Sequence, residues 1–225
     1  MILLAIDTSG KDGGITLARV EDSARGSDPL AVVETNALEG GTFSAQLVPQ
    51  IAGLLAKHGL SKNDIGAFAV ASGPGSFTGL RVGLAAVKAL AEILEKPIAA
   101  VSRLEAVARA GSSGGRVFAA LDAGRGELYV GEYDFDQSRL VDERLQSQAE
   151  FLAETRGAKV VTPERALAET WRAGGAEAEE VARPGSETIA RIGWRKIQSG
   201  ETISPEELDA NYIRRSDAEI FAKRS

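Results

Sequence analysis

Three acids stand where strands should end or begin. Asp7 closes the run Leu4-Ala5-Ile6-Asp7-Thr8-Ser9-Gly10, Asp122 lies in Ala120-Leu121-Asp122-Ala123-Gly124-Arg125-Gly126, and Glu127 opens the next segment. Carboxylates at such places could hold a magnesium ion or act as general acid and base. An Asp at a strand-to-turn junction more often hydrogen-bonds its own turn. No local cluster joins a base to a nucleophile. The other candidate is the stretch Ser72-Gly73-Pro74-Gly75-Ser76-Phe77-Thr78-Gly79, which runs into a long apolar segment. Glycine turns that open helices can cradle phosphates on backbone N–H groups. They also occur where two backbones pass close together.

The strict phosphate patterns fail on this stretch. A Walker loop needs a lysine after its last glycine, but Leu80 follows Gly79 and the first lysine is Lys88. The dinucleotide pattern accepts Gly73 and Gly75 and fails at Thr78, where a third glycine is required. A strand, a glycine turn and a helix start remain, with Thr78 as the expected N-cap.

Composition removes other chemistries. There is no cysteine, so there is no disulfide, thiol nucleophile or thiolate metal site, and a single histidine cannot assemble the usual zinc sets. A Ser-His-Asp triad would need His58, but Leu55-Ala56-Lys57-His58-Gly59-Leu60 reads as a helix end, with Gly59 supplying the left-handed turn. Metalloprotease and serine-hydrolase chemistry are therefore disfavoured. The formal net charge of -6 suits nucleic acid poorly, because affinity there comes from neutralising phosphates. The start MILLAIDTSG lacks the charged lead of a signal peptide, and no apolar run approaches about 18 residues. A soluble, cytoplasmic protein is expected, with no membrane contact.

The elements that must position these residues follow from periodicity. Short apolar runs at 1–6, 15–20, 31–35, 67–71 and 97–101 read as strands. Helical spacing marks 44–58, where Pro49 implies a late start or a kink, and 79–96. The order β-β-β-α-β-α-β implies a mixed sheet with helices packed on it. The Asp7 and Asp122 segments resemble each other half a chain apart, each leading into a second strand, which suggests two copies of one unit. Further on, 148–155 and 186–197 read as helices and 159–161 as a strand. Domains are expected at 1–101 and 102–225, with the C-terminal tail able to pack back on the first.

The second helix is unusual. Arg81, Lys88, Glu92 and Glu95 form one narrow stripe, and Leu80, Leu84, Val87, Ala91 and Leu94 a broad apolar face. Gly79, Gly83 and Ala86 form a third face of small residues. A helix with so little polar surface must be covered on more than one side. The neighbouring helix or another subunit could supply that cover.

The segments LAIDTS, FSAQLVPQIAGLL, ASGPGSFTGLRVGLAAVKALA and ALDAGRGELYVGEYD, with the tail YIRRSDAE, together resemble the bacterial TsaB (YeaZ) family. The match covers residues 1–135 and fades from there to the tail. The resemblance implies an α/β fold of the actin/Hsp70/sugar-kinase type (ASKHA, RNase H-like), with two similar domains of mixed sheets flanked by helices. It implies a non-catalytic partner of the TsaD transferase, with the TsaE ATPase, in forming N6-threonylcarbamoyladenosine beside the anticodon of ANN-reading tRNAs. The implied interface lies on the two N-domain helices, at Leu47, Ile51, Leu54, Leu55, Gly79, Leu80, Gly83, Leu84, Ala86 and Val87. Catalytic members carry a pair of metal-binding histidines on the first helix, where this chain reads Thr42-Phe43-Ser44-Ala45-Gln46-Leu47. No metal site and no catalytic residue are therefore expected. Asp7, Thr8, Ser9, Gly73, Gly75 and Ser76 stand where kinase-like relatives hold phosphates. No cofactor is required, and ATP or ADP at the domain cleft or the partner interface stays open. Contact with tRNA is expected only within the complex or through Arg214, Arg215, Lys223 and Arg224. Whether the isolated protein forms a homodimer stays open. The alternatives are an ATP-dependent phosphotransferase using Asp7 and Asp122 and, less favoured, a peptidase.

Overall fold

A computed structural model of the chain describes residues 1–21, 29–111, 114–137 and 139–214. In chain order the elements are β1 (Ile2–Asp7), β2 (Gly13–Val20), β3 (Leu30–Leu38), α1 (Phe43–Lys57), β4 (Ile65–Gly73), α2 (Phe77–Leu94), β5 (Ile98–Ser102) and α3 (Arg103–Gly111). They continue as β6 (Arg116–Gly124), β7 (Glu127–Asp134), β8 (Arg139–Ser147), α4 (Gln148–Glu154), β9 (Lys159–Thr162), α5 (Arg165–Ala173), β10 (Glu177–Glu180) and α6 (Ser186–Ser199). None of the described helices is long and apolar enough to cross a membrane.

The first unit comprises Met1–Arg103 and Pro184–Ala210. Its sheet has the order β3-β2-β1-β4-β5. β1 and β2 pair antiparallel, as do β2 and β3, while β4 and β5 run parallel to β1. β1 is central and buried along its whole length, which is why it reads as a continuous apolar run. Side chains alternate across the sheet. Ile2, Leu4, Ile6, Ile15, Leu17, Phe68 and Val70 share a core with Phe43, Leu47, Ile51, Leu54 and Leu55 of α1 and with Leu80, Leu84, Val87 and Ala91 of α2. The opposite face takes α6. There the Thr16 and Ser186 hydroxyls lie 2.8 Å apart, and a Cβ on Gly193 would stand 2.4 Å from Ala69 Cβ.

This packing corrects the expected domain limits. The segment 184–210 belongs to the first unit and not to a second domain spanning 102–225. α1 and α2 cover only one face of the first sheet, and α6 returns to cover the other. Beyond α6, Ile203 bridges Ile98, and Leu208 is buried in the α1–α2 core. Of the two outcomes expected at Pro49, the late start does not occur, since α1 starts at Phe43 and runs past it. Pro49 sits on the exposed side of α1, beside Ala45 and Val48.

The second unit comprises Leu104–Arg183 and the chain from Asn211. Its sheet, β10-β9-β6-β7-β8, repeats the first strand for strand, with β6 in the place of β1. β6–β7 and β7–β8 are antiparallel, and β9 is parallel to both β6 and β10. The repeat read from seven residues is thus a repeat of topology. On one face Phe118, Ala120, Leu128, Val130 and Val160 pack with Phe151 of α4 and Trp171 of α5. On the other, Val117, Ala119, Leu121, Tyr133 and Val161 pack with Leu104, Val107 and Ala108 of α3.

Candidate functional site

The glycine stretch is bound to the turn after β1. The Asp7 carboxylate accepts the Ser9 N–H at 2.9 Å and the Ser9 hydroxyl, so it caps its own turn. Thr8 Oγ1 donates to the Gly79 carbonyl at 2.7 Å, and the Ser76 N–H donates to the Ser9 carbonyl at 2.7 Å. A Cβ on Gly75 would lie 2.2 Å from the Ser9 carbonyl oxygen. One on Gly79 would lie 2.1 Å from the Thr8 carbonyl oxygen, and one on Gly83 2.4 Å from Thr8 Oγ1. Gly73 adopts φ +119, open only to glycine at low cost. The glycines therefore serve close approach of two backbones. The N-cap is Ser76, whose Oγ accepts the Gly79 N–H at 3.2 Å, and not the expected Thr78, which is exposed.

The remaining acids are also engaged locally. Asp122 is exposed and accepts the Gly124 N–H at 2.8 Å, the bond of a turn-capping residue. Glu127 pairs with Arg214, whose guanidinium also lies over the Tyr129 ring. Arg214 is thereby tied to β7, while Arg215, Lys223 and Arg224 lie outside the described residues. Among the described residues no three acids or histidines group closely enough to hold a metal ion. His58 caps the C-terminus of α1, followed by Gly59 at φ +67. Its Nε2 lies 2.8 Å from Glu34, which also accepts from Lys57 at 2.7 Å. The Lys57 and His58 hydrogen bonds hold the Glu34 carboxyl below the usual glutamate range.

The helix residues expected to meet a partner are mostly turned inward. Leu47, Ile51, Leu54, Leu55, Leu80, Leu84 and Val87 are buried in the chain's own core. Gly79 and Gly83 are buried against Thr8, and Ala86 is half-buried. The physical reason is simple: the strongest apolar stripe of an amphipathic helix goes to its own sheet. The outer faces carry other residues. On α1 these are Ala45, Val48, Pro49, Ala52, Gly53 and Ala56, with Val48 62% exposed. On α2 they are Phe77, Thr78, Arg81, Ala85, Ala89, Glu92 and Ile93, with Ile93 70% exposed. Arg81 stacks on Phe77, its Cζ 3.6 Å from the ring centre. Lys88 reaches instead to the carbonyls of Glu206 and Leu208, at 3.4 Å each. α1 and α2 pack against each other, so their outer faces flank one contact. The signal for this surface was the alanines at positions where a surface helix carries charge.

Two sheets of this order, each built on a hairpin with parallel strands added to its first member, define the RNase H-like fold of the actin/Hsp70/sugar-kinase class. YeaZ from Pseudomonas aeruginosa has the same fold, with a TM-score of 0.69 at 24% identity over 93% of this chain and 100% of that one. The family model for TsaD, tRNA N6-adenosine threonylcarbamoyltransferase, matches residues 40–194. The Escherichia coli tRNA threonylcarbamoyladenosine biosynthesis protein TsaB is 30% identical over 193 residues, 77% of this chain and 81% of that protein. The Bacillus subtilis TsaB is 35% identical over 155 residues, 68% of this chain, and the match spans 64% of the relative's length. The chain belongs to the TsaB family, within the wider group that the TsaD model describes.

Proposed function

We propose that the protein is the non-catalytic partner of a TsaD-family threonylcarbamoyltransferase in forming N6-threonylcarbamoyladenosine on tRNA, and that the outer face of α1 and α2 is its docking surface. The observation that carries this reading is the exposure of Val48 and Ile93 among Ala45, Ala52, Ala56, Ala85 and Ala89. Such a face gains by burial, roughly 25 cal/mol for each Å² of apolar surface covered, and its small residues let partner helices come close. Arg81 and Glu92 on the same side of α2 supply a polar rim. In the absence of the transferase the same face is open to a second copy of the chain. A TsaE-type ATPase and tRNA join the assembly and not the isolated protein, which works in the cytoplasm.

The non-catalytic part of the reading has a separate support. The polar groups of Asp7, Thr8, Ser9 and Ser76 are already committed to one another and to Gly79. The protein needs no cofactor of its own, and ATP or ADP belongs to the assembled complex. A reconstituted reaction tests this. Transfer to tRNA by the TsaD-type enzyme and its ATPase should depend on this protein, which alone should not turn over ATP. Magnesium-dependent ATP turnover by the protein alone, lost in Asp7→Ala with unchanged melting, would favour the phosphotransferase reading.

A further inference from the structure

We propose that Arg103 is a positioning residue for α2, and through it for the partner-facing surface; the inference rests on the partner role proposed above. The loop before α2 has almost nothing of its own to hold it. Gly73 and Gly75 have no side chain, and Pro74 has no N–H to donate. The loop is therefore held largely from outside, by the Ser9 carbonyl and by Arg103 among others. The Ser9 carbonyl holds the Ser76 N–H at 2.7 Å, and Arg103 Nη1 donates to the Pro74 carbonyl at 2.9 Å. Pro74 stands two residues before the N-cap, so both grips act where the direction of α2 is set.

The guanidinium also spans the two turns that meet there. A Cβ on Gly75 would lie 3.1 Å from Arg103 Nη1, and one on Gly10 4.0 Å from Nη2. The absence of a side chain at Gly75 admits the arginine, while Gly10 lies at ordinary contact distance from it. A planar fork with several donors can fill such a slot while keeping one bond aligned, which a lysine ammonium does less well. Arg103 also opens α3, and the residue after it begins the second unit. The side chain thus ties the point where the chain leaves the first unit to the start of α2. The residues presented next, Phe77, Thr78 and Arg81, lie on the outer face.

The test compares wild type, Arg103→Ala, Arg103→Lys and Arg103→Gln in the full chain. Amide exchange across residues 75–80, affinity for the TsaD-type enzyme and the thermal midpoint are all measured. Arg103→Ala should speed exchange in that segment and weaken partner binding about tenfold, with the midpoint lowered by only a few degrees, as expected for the loss of one charged hydrogen bond. Arg103→Lys should recover part of both. Arg103→Gln keeps a neutral donor and decides the matter should the alanine variant fail to fold. Exchange and affinity equal to wild type in these variants would overturn the proposal. Failure of the wild type to bind would overturn the partner reading alone, since the exchange rates still report whether Arg103 sets α2.

Discussion

Adding one carbon at Gly79 should destabilise the protein, whereas the same change at Gly53 should not. Both glycines lie in helices, so alanine brings a propensity gain of up to about 1 kcal/mol at each. At Gly53 a Cβ meets nothing within 4 Å, so Gly53→Ala should be neutral to stabilising by that amount. At Gly79 the new carbon would stand 2.1 Å from the Thr8 carbonyl oxygen, a backbone atom. An ordinary contact needs roughly 1 Å more, so α2 and the turn after β1 would have to part. Overpacking of this kind costs about 1–3 kcal/mol. The shift also strains the Thr8–Gly79 and Ser76–Ser9 hydrogen bonds, worth roughly 0.5–1.5 kcal/mol each. The net expectation for Gly79→Ala is a loss of about 2–4 kcal/mol. Urea unfolding followed by circular dichroism reads both variants against wild type. A Gly79→Ala protein as stable as wild type would refute the close-approach account of the glycine loop.

Leu84→Asp places a carboxylate in the first core and should cost about 4 kcal/mol or more, while Ile93→Asp on the outer face should change stability by less than about 0.5 kcal/mol. Thermal melts of the two separate core from surface on one helix. Leu208→Ala should cost about 2–4 kcal/mol, because Leu208 anchors the returning segment in the α1–α2 core; denaturant midpoints check it. Glu34 has a depressed carboxyl pKa, so its bonds to Lys57 and His58 stabilise fully above the ordinary glutamate value of about 4.3 and less as pH falls through the lowered one. The stability gap between wild type and Glu34→Gln should therefore be full near neutrality and close in acid, as a pH series of unfolding curves would show.

Legibility differed between elements for physical reasons. β1 and β4 were readable because central strands buried on both faces are short continuous apolar runs, and β5, although an edge strand, is apolar and largely buried from Ile98 to Val101. β8, Arg-Leu-Val-Asp-Glu-Arg-Leu-Gln-Ser, was not, since a largely solvent-facing edge strand carries no such signal. Residues 186–197 read as a helix, but not as the second cover of the first sheet. That pairing joins Ser186 to Thr16, 170 positions away, and no local pattern encodes it. The glycine stretch offered two readings because both demand missing side chains. Only what lies opposite the glycines, here the Thr8 and Ser9 carbonyls, separates them. The residues named for a partner surface lie one helix face away from the exposed one. Leu47, Leu80 and Leu84 are the most conspicuous residues of α1 and α2, and for that reason they belong to the core. The exposed faces carry small residues, Ala45, Ala52, Ala85 and Ala89, at positions where solvent would favour charge.

The most direct test of the central claim is a calorimetric titration of the TsaD-type enzyme with wild type, Val48→Asp and Ile93→Asp. The account predicts binding by wild type, and loss of binding in both variants with thermal midpoints unchanged. Wild-type affinity in both variants would contradict it.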